Sequence, residues 1–145
     1  MDEAAIIRYI TNTFDGVNLD TADGDSFFSC DPERKFPFAT LVTKDNAYDS
    51  VSNLDRPAVF RLNIGLTKAT YHRLFGAQPA RAAEDTRDTG YDFTALDQLL
   101  PHPVYGRMYW ACVLNPSAAT FQAVQPLLAE AHELVVSRHA KHATG

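Results

Sequence analysis

The segment Val59-Phe60-Arg61-Leu62-Asn63-Ile64-Gly65-Leu66 is the clearest strand in the chain, and it constrains the fold most. Successive side chains of a strand point to opposite faces, so Phe60, Leu62 and Ile64 share one side and Arg61, Asn63 and Gly65 the other. A strand divided in this way needs an apolar layer against its first face. The second face carries a guanidinium and an amide, which must meet water, a ligand or partners within the chain.

The flanking segments can supply the apolar layer. Asp2 to Phe14 reads as a helix, with Ile6, Ile7, Ile10 and Phe14 at helical spacing and Gly16 beyond its end. Val17–Leu19 and Ser26–Cys30 read as short strands around the turn Asp23-Gly24-Asp25, and Phe36–Thr43 as a stronger one. Lys44–Arg56 is polar, ends at Pro57 and reads as a loop. Thr67 suits the N-cap of a short helix through Phe75, with Tyr71, Leu74 and Phe75 inward and Gly76 as its stop. Residues 76–90 have no apolar period and are expected to form a mobile surface loop. Phe93, Leu96, Leu99 and Leu100 suggest a helical turn before Pro101, and Arg107–Leu114 the last strand. Ser117 suits the N-cap of a final helix in which Phe121, Val124, Leu128, Ala131 and Val135 form a buried stripe. Pro126 lies inside that helix and is expected to bend it. The pattern is that of an α+β protein, an antiparallel sheet with helices mainly on one face.

A chain of 145 residues is expected to form one domain, residues 1–145. Its formal charge of 13 − 18 = −5 argues against nucleic acid, which requires clustered lysine and arginine. The basic residues near the C-terminus (His132, Arg138, His139, Lys141 and His142) suit a helix C-terminal end better than a phosphate patch. Cys30 and Cys112 have no metal-ligand spacing and read as buried thiols in a reducing cytoplasm. No leader and no membrane anchor are expected, since no apolar run approaches about 20 residues. The five histidines show no metal-site spacing, and no metal or cofactor is expected. A nucleophile elbow and a glycine-rich phosphate loop are both missing from the sequence. Asp20, Asp23, Asp25 and Asp31 lack calcium-loop spacing and read as turn residues.

Two groups of residues carry candidate chemistry. Arg61 and Asn63, at i and i+2, project the same way from their strand. Arginine offers a planar five-donor fork, and asparagine both a donor and an acceptor. They form either a polar floor for an anionic or amide-bearing ligand, or a solvated face with Arg61 paired to a carboxylate such as Asp55. The second group centres on Pro101-His102-Pro103-Val104-Tyr105-Gly106. Prolines on both sides hold His102 on a stiff, non-helical segment at the lip of a strand. His102 is the candidate acid/base, Tyr105 a rim residue, and Trp110 an apolar wall provided its side of the strand faces the site. The competing reading is a rigid corner with His102 bonded to a backbone carbonyl. A small-molecule ligand on the open sheet face is the leading expectation. A protein-interaction or homodimerisation module using the same face is the alternative.

Phe60-Arg61-Leu62-Asn63-Ile64-Gly65, Pro101-His102-Pro103-Val104-Tyr105-Gly106 and Cys112-Val113-Leu114-Asn115-Pro116-Ser117 resemble, in that order, an uncharacterised actinobacterial domain-of-unknown-function family. The opening helix and Phe36-Pro37-Phe38-Ala39-Thr40 share the resemblance, which implies no activity. The element order is also similar to that of the MmcQ/YjbR-like proteins. Their fold, like that of type III secretion chaperones, runs helix, three strands, helix, two strands, helix. That likeness implies two strands between the second and last helices, with Val104–Tyr105 as the candidate for the first of them.

Overall fold

In the computed structural model, which describes residues 1–33, 36–45, 52–76 and 91–144, six strands form one antiparallel sheet. They are β1 (Asn18–Ala22), β2 (Asp25–Ser29), β3 (Pro37–Val42), β4 (Arg61–Gly65), β5 (Leu99–Pro101) and β6 (Trp110–Leu114), in the order β1-β2-β3-β4-β6-β5. The helices are α1 (Glu3–Thr13), α2 (Lys68–Phe75) and α3 (Ala118–Thr144). The α+β class expected from the sequence is the observed one. Four strands precede α2, one more than the secretion-chaperone-like order carries.

Local chemistry sets the helix ends. The Asp2 carboxylate accepts from the Ala5 N–H at 2.8 Å, the Thr67 hydroxyl from Thr70 at 3.2 Å and the Ser117 hydroxyl from Thr120 at 3.2 Å. Each satisfies an N–H that a first helical turn leaves without a partner. Pro126 sits inside α3 without dividing it.

The alternation in β4 selects the packing. Leu62 and Ile64 point with Leu41, Ala111 and Val113 into a core closed by Ile6 and Ile10 of α1 and by Phe121, Val124, Leu128 and Ala131 of α3. Between β2 and β3 the register shifts, pairing Phe28 with Ala39 and Ser29 with Pro37. The extra residue, Phe38, packs edge-on against Phe14 and His132 on this helix side. Burying one such aliphatic or aromatic side chain contributes about 1.5–3 kcal/mol relative to leaving it exposed.

Several sequence expectations are corrected. Leu99–Pro101 is not a helical turn but strand β5, paired with Ala111–Val113 at the sheet edge. It supplies the second late strand in place of Val104–Tyr105, which lies in a turn. The last strand begins at Trp110 rather than Arg107, because Gly106–Met108 forms a 3-10 turn ending at Tyr109 with φ +69°. Leu74 is exposed, and Thr70 takes its inward place on α2 beside Tyr71. Of the expected mobile loop 76–90, Gly76 ends α2 and residues 77–90 lie outside the described residues, as do residues 46–51 of the polar loop and the side chains of His139, Lys141 and His142. No described helix is long and apolar enough to cross a membrane.

Candidate functional site

The sheet face opposite α1 and α3 is laid out by register. Thr40, Asn63, Cys112 and Leu100 are successive cross-strand partners, and the next row toward the end of β4 pairs Gly65 with Trp110. Partners in an antiparallel pair point the same way, so these side chains share the face that carries Arg61. The backbone N–H of His102 donates to the Trp110 carbonyl at 2.9 Å, which continues the β5–β6 pairing by one residue and brings His102 to this face.

Arg61 and His102, 41 positions apart, meet here. Arg61 Nη2 lies 3.2 Å from His102 Nε2. Arg61 Nε donates to Asn63 Oδ1 at 2.8 Å and Nη1 to Ser52 Oγ at 2.9 Å. Asn63 Nδ2 in turn donates to Thr40 Oγ1 at 2.9 Å. Because arginine only donates, it dictates which end of the Asn63 amide faces it, and the amide nitrogen is left to bind Thr40. The result is one connected polar network on the face that the alternation of β4 left free of apolar residues.

The surroundings of this network differ from the expected open face. Arg61 is 0% exposed, Asn63 3% and His102 4%. An interior guanidinium is tolerated only when its donors are matched, which the network does. Ser52 and Leu54, from the segment read as a polar loop, are also buried. That segment is fastened by Arg56, whose Nε donates to the Asn53 carbonyl and whose Nη2 donates to the carbonyls of Ser52 and Thr94. Phe93 packs with Leu100 and Cys112 in a small apolar cluster beside the network. The Asp55 carboxylate, the pairing weighed for Arg61, accepts instead from the Asp45 N–H.

His102 caps its own turn. Its Nδ1 accepts from the backbone N–H groups of Val104 at 3.0 Å and Tyr105 at 2.9 Å, and its carbonyl accepts from Gly106 at 3.0 Å. The ring therefore stiffens the corner by accepting two N–H groups of its own turn at Nδ1. Tyr105 is half exposed, with its ring 5.0 Å from the imidazole. Trp110 does lie on the Arg61 face, where it packs against Gly65: a Cβ added at Gly65 would stand 3.0 Å from two indole carbons. The geometry thus places Arg61, Asn63, His102, Tyr105 and Trp110 in one region. Sequence reasoning missed Thr40 and Ser52. Thr40 was within reach, since its alternation with Ala39 and Leu41 puts it on the polar face. Ser52 carries no such signal.

A separate surface cavity of about 560 Å³ opens at the Phe60 end of β4, away from His102, between Asp2, Ala58, Phe60, Asp97, Asn115 and Ser117. Among the described residues no group of three or more His, Cys, Asp or Glu side chains is placed to hold a metal ion. Burial and the neighbouring Asp31 push the Cys30 thiol up, which disfavours the reactive thiolate. A profile describing a family of unknown function, DUF6194, matches residues 1–144. No curated protein and no solved structure matches the chain.

Proposed function

The chain belongs to DUF6194, a family of unknown function, and from that premise we propose that it binds a small polar or anionic ligand at the Arg61–His102 network. One observation carries this reading: a guanidinium and an imidazole far apart in sequence are brought to 3.2 Å on one sheet face, tied to Asn63, Ser52 and Thr40. Arg61 holds the ligand's negative charge, Asn63 and Thr40 orient the guanidinium, and Tyr105 and Trp110 flank the region. The dimerisation reading draws less support, because the centre of the same face is covered by the chain's own segments.

The proposal extends to a single domain acting in the cytoplasm, without nucleic acid or membrane partners, consistent with its net charge of −5. The likeness in element order to the MmcQ/YjbR-like proteins belongs to the same proposal. The test is a thermal-shift screen of small carboxylates, phosphates and neutral polar compounds on the wild type and on Arg61→Met. Saturation at about a hundred times Kd adds about 2.7 kcal/mol, so a true ligand raises the wild-type Tm by several degrees and leaves Arg61→Met unmoved. If no compound stabilises the wild type, or if the variant responds equally, the proposal fails.

A further inference from the structure

The two ends of the β4–β6 pair differ in charge. At one end the Asn115 N–H donates to the Phe60 carbonyl at 3.1 Å, and the cavity of about 560 Å³ opens there. Its lining holds the carboxylates of Asp2, Glu3 and Asp97 and no lysine, arginine or histidine side chain, so the Met1 amino group offsets only part of the charge. Phe60 and the exposed Leu96 add apolar wall. At the other end the Leu66 N–H donates to the Tyr109 carbonyl at 3.0 Å, beside the turn Tyr105-Gly106-Arg107-Met108. Met108 is 61% exposed and Tyr105 50%, and Arg107, also exposed, makes no ion pair among the described residues. Neither residues 98–114, which contain the turn, nor residues 61–76, which contain α2 beside it, include a carboxylate. The turn is stiff. The His102 carbonyl accepts from Gly106 and the Tyr105 carbonyl from Met108 and Trp110, while Gly106 rests on Tyr71, whose hydroxyl would stand 3.3 Å from a Cβ added there.

We propose that this turn seats in the acidic cavity of a second copy of the chain, with Arg107 against the carboxylates and Met108 against Phe60 and Leu96. The inference is independent of the ligand-binding reading above. A five-residue strand holds the two ends about 17 Å apart, so no molecule seats its own turn in its own cavity. The cavity repels an anion, and a small cation would leave its apolar wall uncovered. Arg107 and Met108 bring a positive charge and apolar stems together, and a stiff turn loses little freedom on docking. Two unlike surfaces meet, so each pair leaves a turn free at one end and a cavity free at the other, and copies add until a ring closes. One turn in one cavity covers less than the roughly 1,200–2,000 Å² of a stable interface, so the association is weak, reversible and sensitive to salt.

The experiment is sedimentation velocity on the full chain at low salt over a wide range of concentration, with Arg107→Ala and Leu96→Lys beside the wild type. The average mass of the wild type is expected to rise with concentration and to fall back in about 1 M salt, where charges are screened beyond about 3 Å. Both substitutions lie at exposed positions and leave the helix caps in place, so both variants are expected to keep the wild-type melting curve. Each alone is expected to associate about tenfold more weakly than the wild type. Arg107→Ala keeps an intact cavity and Leu96→Lys an intact turn, so an equal mixture of the two is expected to form pairs and nothing longer. A wild type that stays monomeric throughout overturns the proposal. Association that both variants retain in full assigns it to another surface and overturns the proposal too. A mixture no more associated than its components overturns the pairing of turn with cavity.

Discussion

Gly65 is the smallest residue on the polar face and has little freedom to change. Its partner across β4 and β6 is Trp110, and the indole occupies the space a side chain would take. Gly65→Ala forces the ring to shift, an overpacking strain that costs about 1–3 kcal/mol. Trp110 is the single tryptophan of the chain, so tryptophan fluorescence reads the surroundings of this one indole. A changed emission maximum together with a lower Tm is expected; an unaltered spectrum would mean that the indole does not rest on the glycine. At this scale, the shared face of Arg61 and Asn63 was legible, because i and i+2 on a strand point the same way whatever the fold. The burial of Arg61 was not. Arginine is mostly a surface residue, and its interior partners here come from a loop serine and from a histidine 41 positions away. Neither contact leaves a local trace in the sequence.

At the scale of elements, the start of α3 shows how a local rule can be right and incomplete. Ser117 does cap the helix, as its position before the apolar stripe predicts, but its own N–H is held by the Asp97 carboxylate at 2.6 Å. Asp97 reaches that position through a left-handed backbone, φ +58°, with its N–H on the Leu114 carbonyl. The backbone bond from Ser117 and hydrogen bonds from the Thr120 and Ser117 side chains hold the Asp97 carboxyl below its ordinary value of 3.8. A carboxyl depressed in the folded state stabilises it in full above the unfolded pKa, and loses that contribution as pH falls through the folded one. Asparagine tolerates the same backbone and keeps an acceptor without the charge. Asp97→Asn is therefore expected to melt below the wild type at neutral pH, with the gap closing as the pH falls below 3.8 and through the lowered value of the folded carboxyl. A gap that stays constant across that range would assign the effect to geometry rather than charge.

The same region explains the missed strand. Leu99-Leu100-Pro101 is too short for alternation to be visible, and its proline suggests a break when it marks only a sheet edge, where an N–H is dispensable. Arg107-Met108 looked like the lead-in to an aromatic strand, yet the left-handed Tyr109 separates the 3-10 turn from β6. Long periodic elements such as α1, β4 and α3 were legible because many residues repeat one signal. Elements of three residues are decided by their neighbours.

Across the molecule, the two faces of the sheet are closed by different means. On one side α1 and α3 cover a continuous apolar core. On the other, the polar network and the small Phe93–Leu100–Cys112 cluster lie under irregular chain. Among the described residues, hydrogen bonds help to pin that cover: Asp45 Oδ1 accepts from the Leu54 N–H, and Arg56 ties the carbonyls of Ser52, Asn53 and Thr94 together. Segments held this way open locally at less cost than global unfolding, whereas central strands exchange their amides only when the whole sheet opens. Arg56→Ala removes the tie between the 52–54 and 94 segments while touching neither helix nor strand. Charge-assisted hydrogen bonds are worth about 1.5–3 kcal/mol when buried and less when partly exposed, so local opening should become about tenfold more frequent. Hydrogen exchange resolves this directly. The Leu54 amide is expected to exchange about tenfold faster in the variant, with Leu62 and Ile64 of β4 following only the change in global stability. Faster exchange confined to Leu54 would make this cover a unit that opens separately from the sheet. Equal acceleration throughout would make the cover one cooperative unit with the sheet.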